Sequence, residues 1–239
     1  MEGEGHCLSG CACVPRKSNP APSQETEGGK EKKSATATTA LASATKHLLH
    51  IEIDYGHHVL EHRAADKEIA ITYDTRNGAR WRTANRFDSG TFSAKIRTPA
   101  GNTSGLNCSF YLSSLEGDKT QDEIDFEFLG KDKSIIQTNV YTTGTGNREV
   151  IHDLGFDSSQ EFHEYTICWT RDKITWYIDG AEIRTLEKVE AEDFPTKPMF
   201  LYASVWNAGD IDSGKWAGSY VGCNEPYVCT YKDVLIPDS

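Results

Sequence analysis

Residues 173–186 read Lys-Ile-Thr-Trp-Tyr-Ile-Asp-Gly-Ala-Glu-Ile-Arg-Thr-Leu, and their pattern decides the fold class. Ile174, Trp176 and Ile178 alternate with Lys173, Thr175 and Tyr177, a period of two that places the apolar set on one face of a strand. Asp179-Gly180 then supplies a two-residue hairpin turn before a second strand over 181–186. Working outward, Phe92, Ala94 and Ile96 alternate with Thr91, Ser93, Lys95 and Arg97. Further strand patterns lie at 69–73, 106–113, 123–128, 135–141, 163–169, 199–206 and 227–236, separated by Gly, Asn, Asp and Pro. No segment of helical length carries a 3.6-residue period. So many short strands in one chain predict an all-β domain, a sandwich of two antiparallel sheets.

The chain has 239 residues, with 36 Asp and Glu against 25 Lys and Arg, a net charge of −11. Its length supports a sizeable core. An acidic chain has no electrostatic footprint for nucleic acid or anionic lipid, and no apolar run is long enough to span a membrane. Residues 1–46 contain no Phe, Tyr or Trp. They pass from a Pro/Glu/Lys segment into an Ala/Thr/Ser one, which buries too little apolar surface to offset chain entropy. That segment reads as a disordered low-complexity tail. His47-Leu48-Leu49 reads as the opening of the first strand, which places the folded domain at 47–239.

Seven cysteines at irregular spacing form neither a disulfide framework nor a zinc-finger pattern. The start, MEGEGHCLSGCACVPRKSNP, lacks the basic and apolar blocks of a secretory signal. Taken at face value this places the chain in a reducing compartment, with Cys223 and Cys229 as free thiols. His57, His58 and His62 share no strand face and have no carboxylate partner pattern, so no metal site and no cofactor is expected.

The chemistry concentrates in Gln121-Asp122-Glu123-Ile124-Asp125-Phe126-Glu127-Phe128-Leu129-Gly130. On a strand, Glu123, Asp125 and Glu127 share one face, and Ile124, Phe126 and Phe128 the other. Packing the apolar trio into a core forces three carboxyls side by side, which a purely structural sheet avoids. Glu123 and Glu127 lie about 13 Å apart at Cα. If both lean inward, their carboxyls approach to roughly 5 Å, the spacing of a retaining glycosidase pair. Glu127, crowded by negative charge, is expected to hold its proton and act as general acid.

The stretch DEIDFEFLG resembles the active-site strand of glycoside hydrolase family 16, in the E-x-D-x-E form of licheninases and plant xyloglucan endotransglucosylase/hydrolases. The resemblance extends over most of 47–237. WRTANRFDSGTFSAKIRTPAGNTSG is licheninase-like, while NREV, YLSS and PMFLYASVWNA are closer to the plant xyloglucan enzymes. It implies a concanavalin-A-like jelly roll with a β-glucan cleft across its concave sheet. It also implies Glu123 as nucleophile, Asp125 as helper and Glu127 as acid/base. Three features set this chain apart. Gln121 stands where His or Trp often precedes the motif, the loop after Gly130 is short, and the chain lacks the Cys-rich carboxyl extension of the xyloglucan enzymes. The mixture resembles a small plant endo-β-glucanase group intermediate between the two. Ile211 stands where the plant enzymes have the second Trp of W-N-A-D-D-W, which implies one sugar platform fewer.

Alternation sorts the other cleft candidates. Gln137, Asn139 and Tyr141 share a face, as do Asn107, Ser109 and Tyr111, and Tyr202, Ser204 and Trp206. Of these, Tyr111, Gln137, Asn139, Tyr141, Tyr202 and Trp206 are the expected glucan contacts, with Trp206 a platform for glucosyl rings. Arg148 and Glu149 match the family's N-R-E segment near the subsites for the leaving sugar. Asn107-Cys108-Ser109 is a glycosylation sequon on a cleft-side strand face. Asn102-Thr103-Ser104, in a loop, is the better acceptor.

Three functions follow for comparison. The first is a retaining endo-β-glucanase acting on mixed-linkage glucan and xyloglucan. The second is a xyloglucan transglucosylase using the same pair, and the third a non-catalytic glucan-binding lectin. A lectin has no need of both Glu123 and Glu127, and the licheninase-like loops favour hydrolysis. The expected partner is a β-glucan polysaccharide, with no nucleic acid and no membrane, and the protein acts as a monomer.

Overall fold

The computed structural model describes residues 44–190 and 193–238; the expected tail up to residue 43 lies outside them. In chain order the strands are β1 (Thr45–His47), β2 (Glu52–Tyr55), β3 (Leu60–Arg63), β4 (Glu68–Tyr73) and β5 (Ala79–Arg82). Then come β6 (Gly90–Arg97), β7 (Leu106–Ser113), β8 (Glu123–Leu129), β9 (Ile135–Tyr141) and β10 (Val150–Asp153). The last are β11 (His163–Trp169), β12 (Lys173–Ile178), β13 (Ala181–Glu187), β14 (Phe200–Asn207) and β15 (Tyr227–Pro237). Helical structure among the described residues is confined to short 3₁₀ turns such as His57–Val59 and Ile211–Gly214.

Two antiparallel sheets result. One runs β13-β12-β11-β6-β15-β4-β3, with β1 added beside β15, and the other runs β10-β9-β8-β7-β14-β5-β2. The two-sheet sandwich read from the strand alternation, and the jelly roll implied by the resemblance, are the observed architecture. The 179–180 hairpin joins β12 to β13, with φ of 48° at Asp179 and 77° at Gly180, the left-handed pair that a tight two-residue turn requires.

The core lies between the sheets. Phe92, Ala94 and Ile96 from β6 and Ile174, Trp176 and Ile178 from β12 meet Ile124, Phe126 and Phe128 from β8. Burying each such aliphatic or Phe side chain contributes about 1.5–3 kcal/mol. A one-residue slip of β8 would forfeit all three at once, so its register is strongly held. Two core aromatics carry polar tips across the interior. Trp176 Nε1 donates to the Asp125 carbonyl at 3.1 Å, and Tyr231 Oη to the Ser109 carbonyl at 3.0 Å. Both bonds end on the strands beneath the candidate site.

Some expectations need correction. The first strand begins at Thr45 and ends at His47, pairing Thr45 with Pro237. Leu48 follows it into the core, whereas Leu49 is 52 % exposed. The pairing edge of β15, rather than any local alternation, defines β1. Strands β2, β3, β5 and β10 were not expected from pattern. In β5, Arg80 and Arg82 alternate with the buried Ala79 and Trp81, so charge masked a strand whose one large core side chain is an indole. Cys223 and Cys229 are free and far apart in environment. Cys223 is exposed, while Cys229 points inward from β15, fully buried beside Cys108.

Candidate active site

Strand β8 is flanked by β9 and β7, and register fixes which side chains adjoin each carboxyl. Glu123 lies opposite Tyr141 and Ser113, Asp125 opposite Asn139 and Tyr111, and Glu127 opposite Gln137 and Ser109. The apolar face of β8 is consumed by the core, so all three carboxyls emerge on the outer face of this sheet. There they line one cavity of about 300 Å³, together with Tyr55, Arg80, Asn107, Tyr111, Glu116 and Trp206. Its floor is low because Ser109 and Ser204, joined Oγ to Oγ at 2.7 Å, present the smallest side chains on that face. A more open groove adjoins it, sharing Glu127 and Trp206 and adding Gln137, Asn139, Tyr141, Glu149, Ile211 and Trp216.

The two glutamates meet different surroundings. Gln121 Nε2 donates to Glu123 Oε2 at 2.7 Å. The Arg80 guanidinium shares that end of the cavity, where it pairs with Glu116 at 3.3 Å and Asp54 at 2.9 Å. Tyr111 Oη donates to the other Glu116 oxygen at 2.8 Å. At the opposite end Gln137 Nε2 donates to Glu127 Oε2 at 2.7 Å, and Trp216 Nε1 donates to Gln137 Oε1 at 3.2 Å. The indole bond fixes the amide, so its N–H group must face the carboxylate.

Burial raises every carboxyl of the trio. Glu127 is pushed up to about 7 by burial, against the opposing Gln137 hydrogen bond and helped by Glu149 and Glu116. Asp125, only 3 % exposed, is raised by burial and then by Glu123 and Glu127. Glu123 is raised by burial, Glu116 and Glu127, while Ser113 and Arg80 act the other way. Carboxyls this close cannot all ionise. The Gln121 amide donor and the nearby Arg80 guanidinium act against that rise at Glu123, whereas at Glu127 the Gln137 amide does so.

Of the expected contacts, Tyr111, Gln137, Asn139, Tyr141, Glu149 and Trp206 line the cavity or groove. Tyr202 does not. Its ring is 1 % exposed, stacked on Tyr111 at 5.2 Å with the Arg80 guanidinium 5.7 Å from its centroid. Arg148 is also turned away, donating to Thr142 Oγ1 at 3.0 Å and the Asp193 carbonyl at 2.7 Å. Ile211 lines the groove with no indole of its own, as expected. Five residues on, past the 3₁₀ turn, Trp216 brings a second indole to 6.0 Å from Trp206.

Sequence reasoning missed Arg80, Glu116 and Trp216, whose positions depend on loops and on a strand it did not recognise. It also passed over Asp122. That buried carboxylate accepts N–H bonds from Thr143, Thr196 and Lys197 at 2.8–3.0 Å, tying two loops to the start of β8. Asn107 is fully buried, so its sequon offers no acceptor on the folded chain. Asn102 is exposed. Among the described residues, no group of three His, Cys, Asp or Glu is placed to hold a metal ion, and no helix is long and apolar enough to cross a membrane.

Similarity to known proteins agrees with this geometry. The chain is 35 % identical over 181 residues to the probable xyloglucan endotransglucosylase/hydrolase protein 8 of Arabidopsis thaliana, covering 70 % of this chain and 57 % of that protein. It is 39 % identical over 155 residues to the putative xyloglucan endotransglucosylase/hydrolase protein 1 of the same plant, covering 62 % and 52 %. The chain thus spans little more than half the length of these relatives. Among solved structures, a prokaryotic β-1,3-1,4-glucanase (lichenase) derived from a mouse hindgut metagenome superposes with a TM-score of 0.63 at 30 % identity, covering 74 % of this chain and 82 % of that one. The Bacillus licheniformis β-glucanase gives 0.67 at 25 %, covering 81 % and 96 %. A Crh5 transglycosylase gives 0.67 at 26 %, covering 83 % and 85 %. Residues 49–221 match the glycosyl hydrolases family 16 profile, and the chain belongs to that family.

Proposed function

We propose that this protein is a retaining endo-β-glucanase that hydrolyses β-1,4-containing glucans, mixed-linkage glucan and xyloglucan among them. The observation that carries it is the opposed pair on β8. Glu123 sits beside an amide donor and a guanidinium, and Glu127 is pushed up to about 7. A glucan lies across the outer face with the scissile bond between the two carboxyls. Glu123 attacks the anomeric carbon, the glycosidic C–O bond breaks, and Glu127 gives its proton to the departing oxygen. Protonated Asp125, between them, donates a hydrogen bond toward Glu123. In the second step Glu127, now a carboxylate, takes a proton from water as that water attacks the same carbon. The ester bond to Glu123 breaks and the product keeps the β configuration.

A second reading replaces water with a sugar hydroxyl. It is favoured by the two indoles in the groove beyond Glu127, which can hold an acceptor ring by stacking, and by the transglucosylase names of the relatives. The test is product analysis by mass spectrometry on both glucans, with and without a labelled oligosaccharide acceptor. Hydrolysis predicts reducing ends that accumulate without acceptor and little label in polymer. Label built into long chains, with few new reducing ends, would favour transfer.

A further inference from the structure

Gln121 immediately precedes Asp122 and Glu123, and its place is unusually well held. Its backbone N–H donates to the Asp118 carbonyl at 3.1 Å, and its carbonyl accepts from Gly144 at 2.7 Å. Gly144 has a φ of 77°, and a Cβ there would stand 1.8 Å from the Lys119 carbonyl oxygen. Only glycine lets the 142–145 turn lie so close to the loop bearing Gln121. Asp122 secures the same turn through Thr143. The Gln121 side chain therefore leaves a clamped backbone and ends 2.7 Å from Glu123 Oε2.

We infer that Gln121 is a positioning residue for the nucleophile. It engages Oε2, which leaves Oε1 to attack the anomeric carbon, and it selects Glu123 as the carboxyl that stays ionised. This rests on the role proposed for Glu123. The groups facing Glu123 are Asp125 and Glu127 on its own strand, Tyr111 and Ser113 on β7, Tyr141 on β9, Arg80 on β5 and Glu116 on the loop after β7. Of these, Glu116 and Glu127 disfavour a charge there, whereas Arg80 and Ser113 favour it. An amide donor does not titrate, so its bond to a carboxylate persists at every working pH. The bond weakens when Glu123 becomes a neutral ester and is regained as the carboxylate departs, so it helps the second step more than the first.

The test is the pH profile of kcat/KM, with kcat, on an aryl cello-oligosaccharide with a good leaving group. On that substrate proton donation by Glu127 matters least, and the acid limb reports Glu123. Gln121→Leu is expected to move the acid limb up by about one pH unit and to lower kcat roughly tenfold. Gln121→Glu keeps the shape but sets a carboxyl against Glu123, and its acid limb should move further in the same direction. An acid limb unmoved in both variants, with melting temperatures like that of the wild type, would overturn the inference. A variant that melts early yet keeps the wild-type limb would overturn it as well, because the role would then be structural only. Wild-type protein inactive on every glucan and aryl substrate would instead remove the proposed role of Glu123 itself.

Discussion

Glu123 and Glu127 are the same residue type on the same face of one strand, yet their ends of the cleft are built differently. The Glu123 end is ringed by charge, with Arg80 tied to Asp54 and Glu116 and an amide aimed at one carboxylate oxygen. The Glu127 end opens onto amides and two indoles, with Trp216 orienting Gln137. A β-strand gives two equivalent carboxyls; only the neighbouring strands and loops give them the different surroundings that the proposed roles of nucleophile and acid need. Specific tests can break or sharpen that contrast.

The largest effect separates the two directly. Glu123→Ala is expected to abolish turnover of polymer and aryl substrate alike, by about five orders of magnitude, without unfolding the domain. Glu127→Ala should lose about three orders on polymer but far less where the leaving group needs no proton. Equal losses on both substrates, measured by initial rates, would dissolve the distinction.

The pH profile comes next. In its proposed role as acid Glu127 must carry a proton, and burial pushes its pKa up to about 7. Activity on polymer should therefore fall as pH rises through that value. Gln137→Leu removes a donor that favours the ionised form, so the basic limb should move upward, by about one pH unit. A downward move would contradict the assignment.

Smaller effects are expected at the aromatic end. Trp206→Ala and Trp216→Ala should each lower kcat/KM on polymer about tenfold through lost stacking. Trp216→Ala should also carry part of the Gln137→Leu shift in the basic limb, because it unlocks the amide, whereas Trp206→Ala should leave the limb in place.

The smallest effect is on stability. Burial raises the Glu123 carboxyl above its unfolded value, so folding loses stability as pH rises through the ordinary carboxylate range. Glu123→Gln removes that cost and should raise the melting temperature by about 2–4 °C at neutral pH, an advantage that vanishes near pH 4 where the unfolded carboxyl is protonated too. A lower melting temperature at neutral pH would mean the charge is structural.

Much of this was legible in the sequence because strand alternation is a local code. The run 121–130 places its core face and its carboxyl face without any knowledge of partners, and the β12–β13 hairpin is spelled by Asp179-Gly180. What failed was non-local. The strand β1 exists through its pairing with β15, and β5 was hidden by its two arginines. Alternation assigned Tyr202 to the right face but could not foresee the Tyr111 and Arg80 groups that cover it. Counting along the W-N-A segment led to Ile211, but it could not foresee that the 3₁₀ turn beginning there also delivers Trp216 to the same groove. Arg148 was placed by resemblance to relatives, and in this chain it holds Thr142 and Asp193.

The central claim, that Glu123 bonds covalently to the sugar while Glu127 moves the proton, is tested most directly by trapping the intermediate. A 2-deoxy-2-fluoro cello-oligosaccharyl fluoride should inactivate the enzyme with a stoichiometry of one. Digestion and tandem mass spectrometry should then find the added sugar mass on Glu123. Label on Glu127, or complete turnover of such a substrate to an α-configured product with no covalent adduct, would contradict the account.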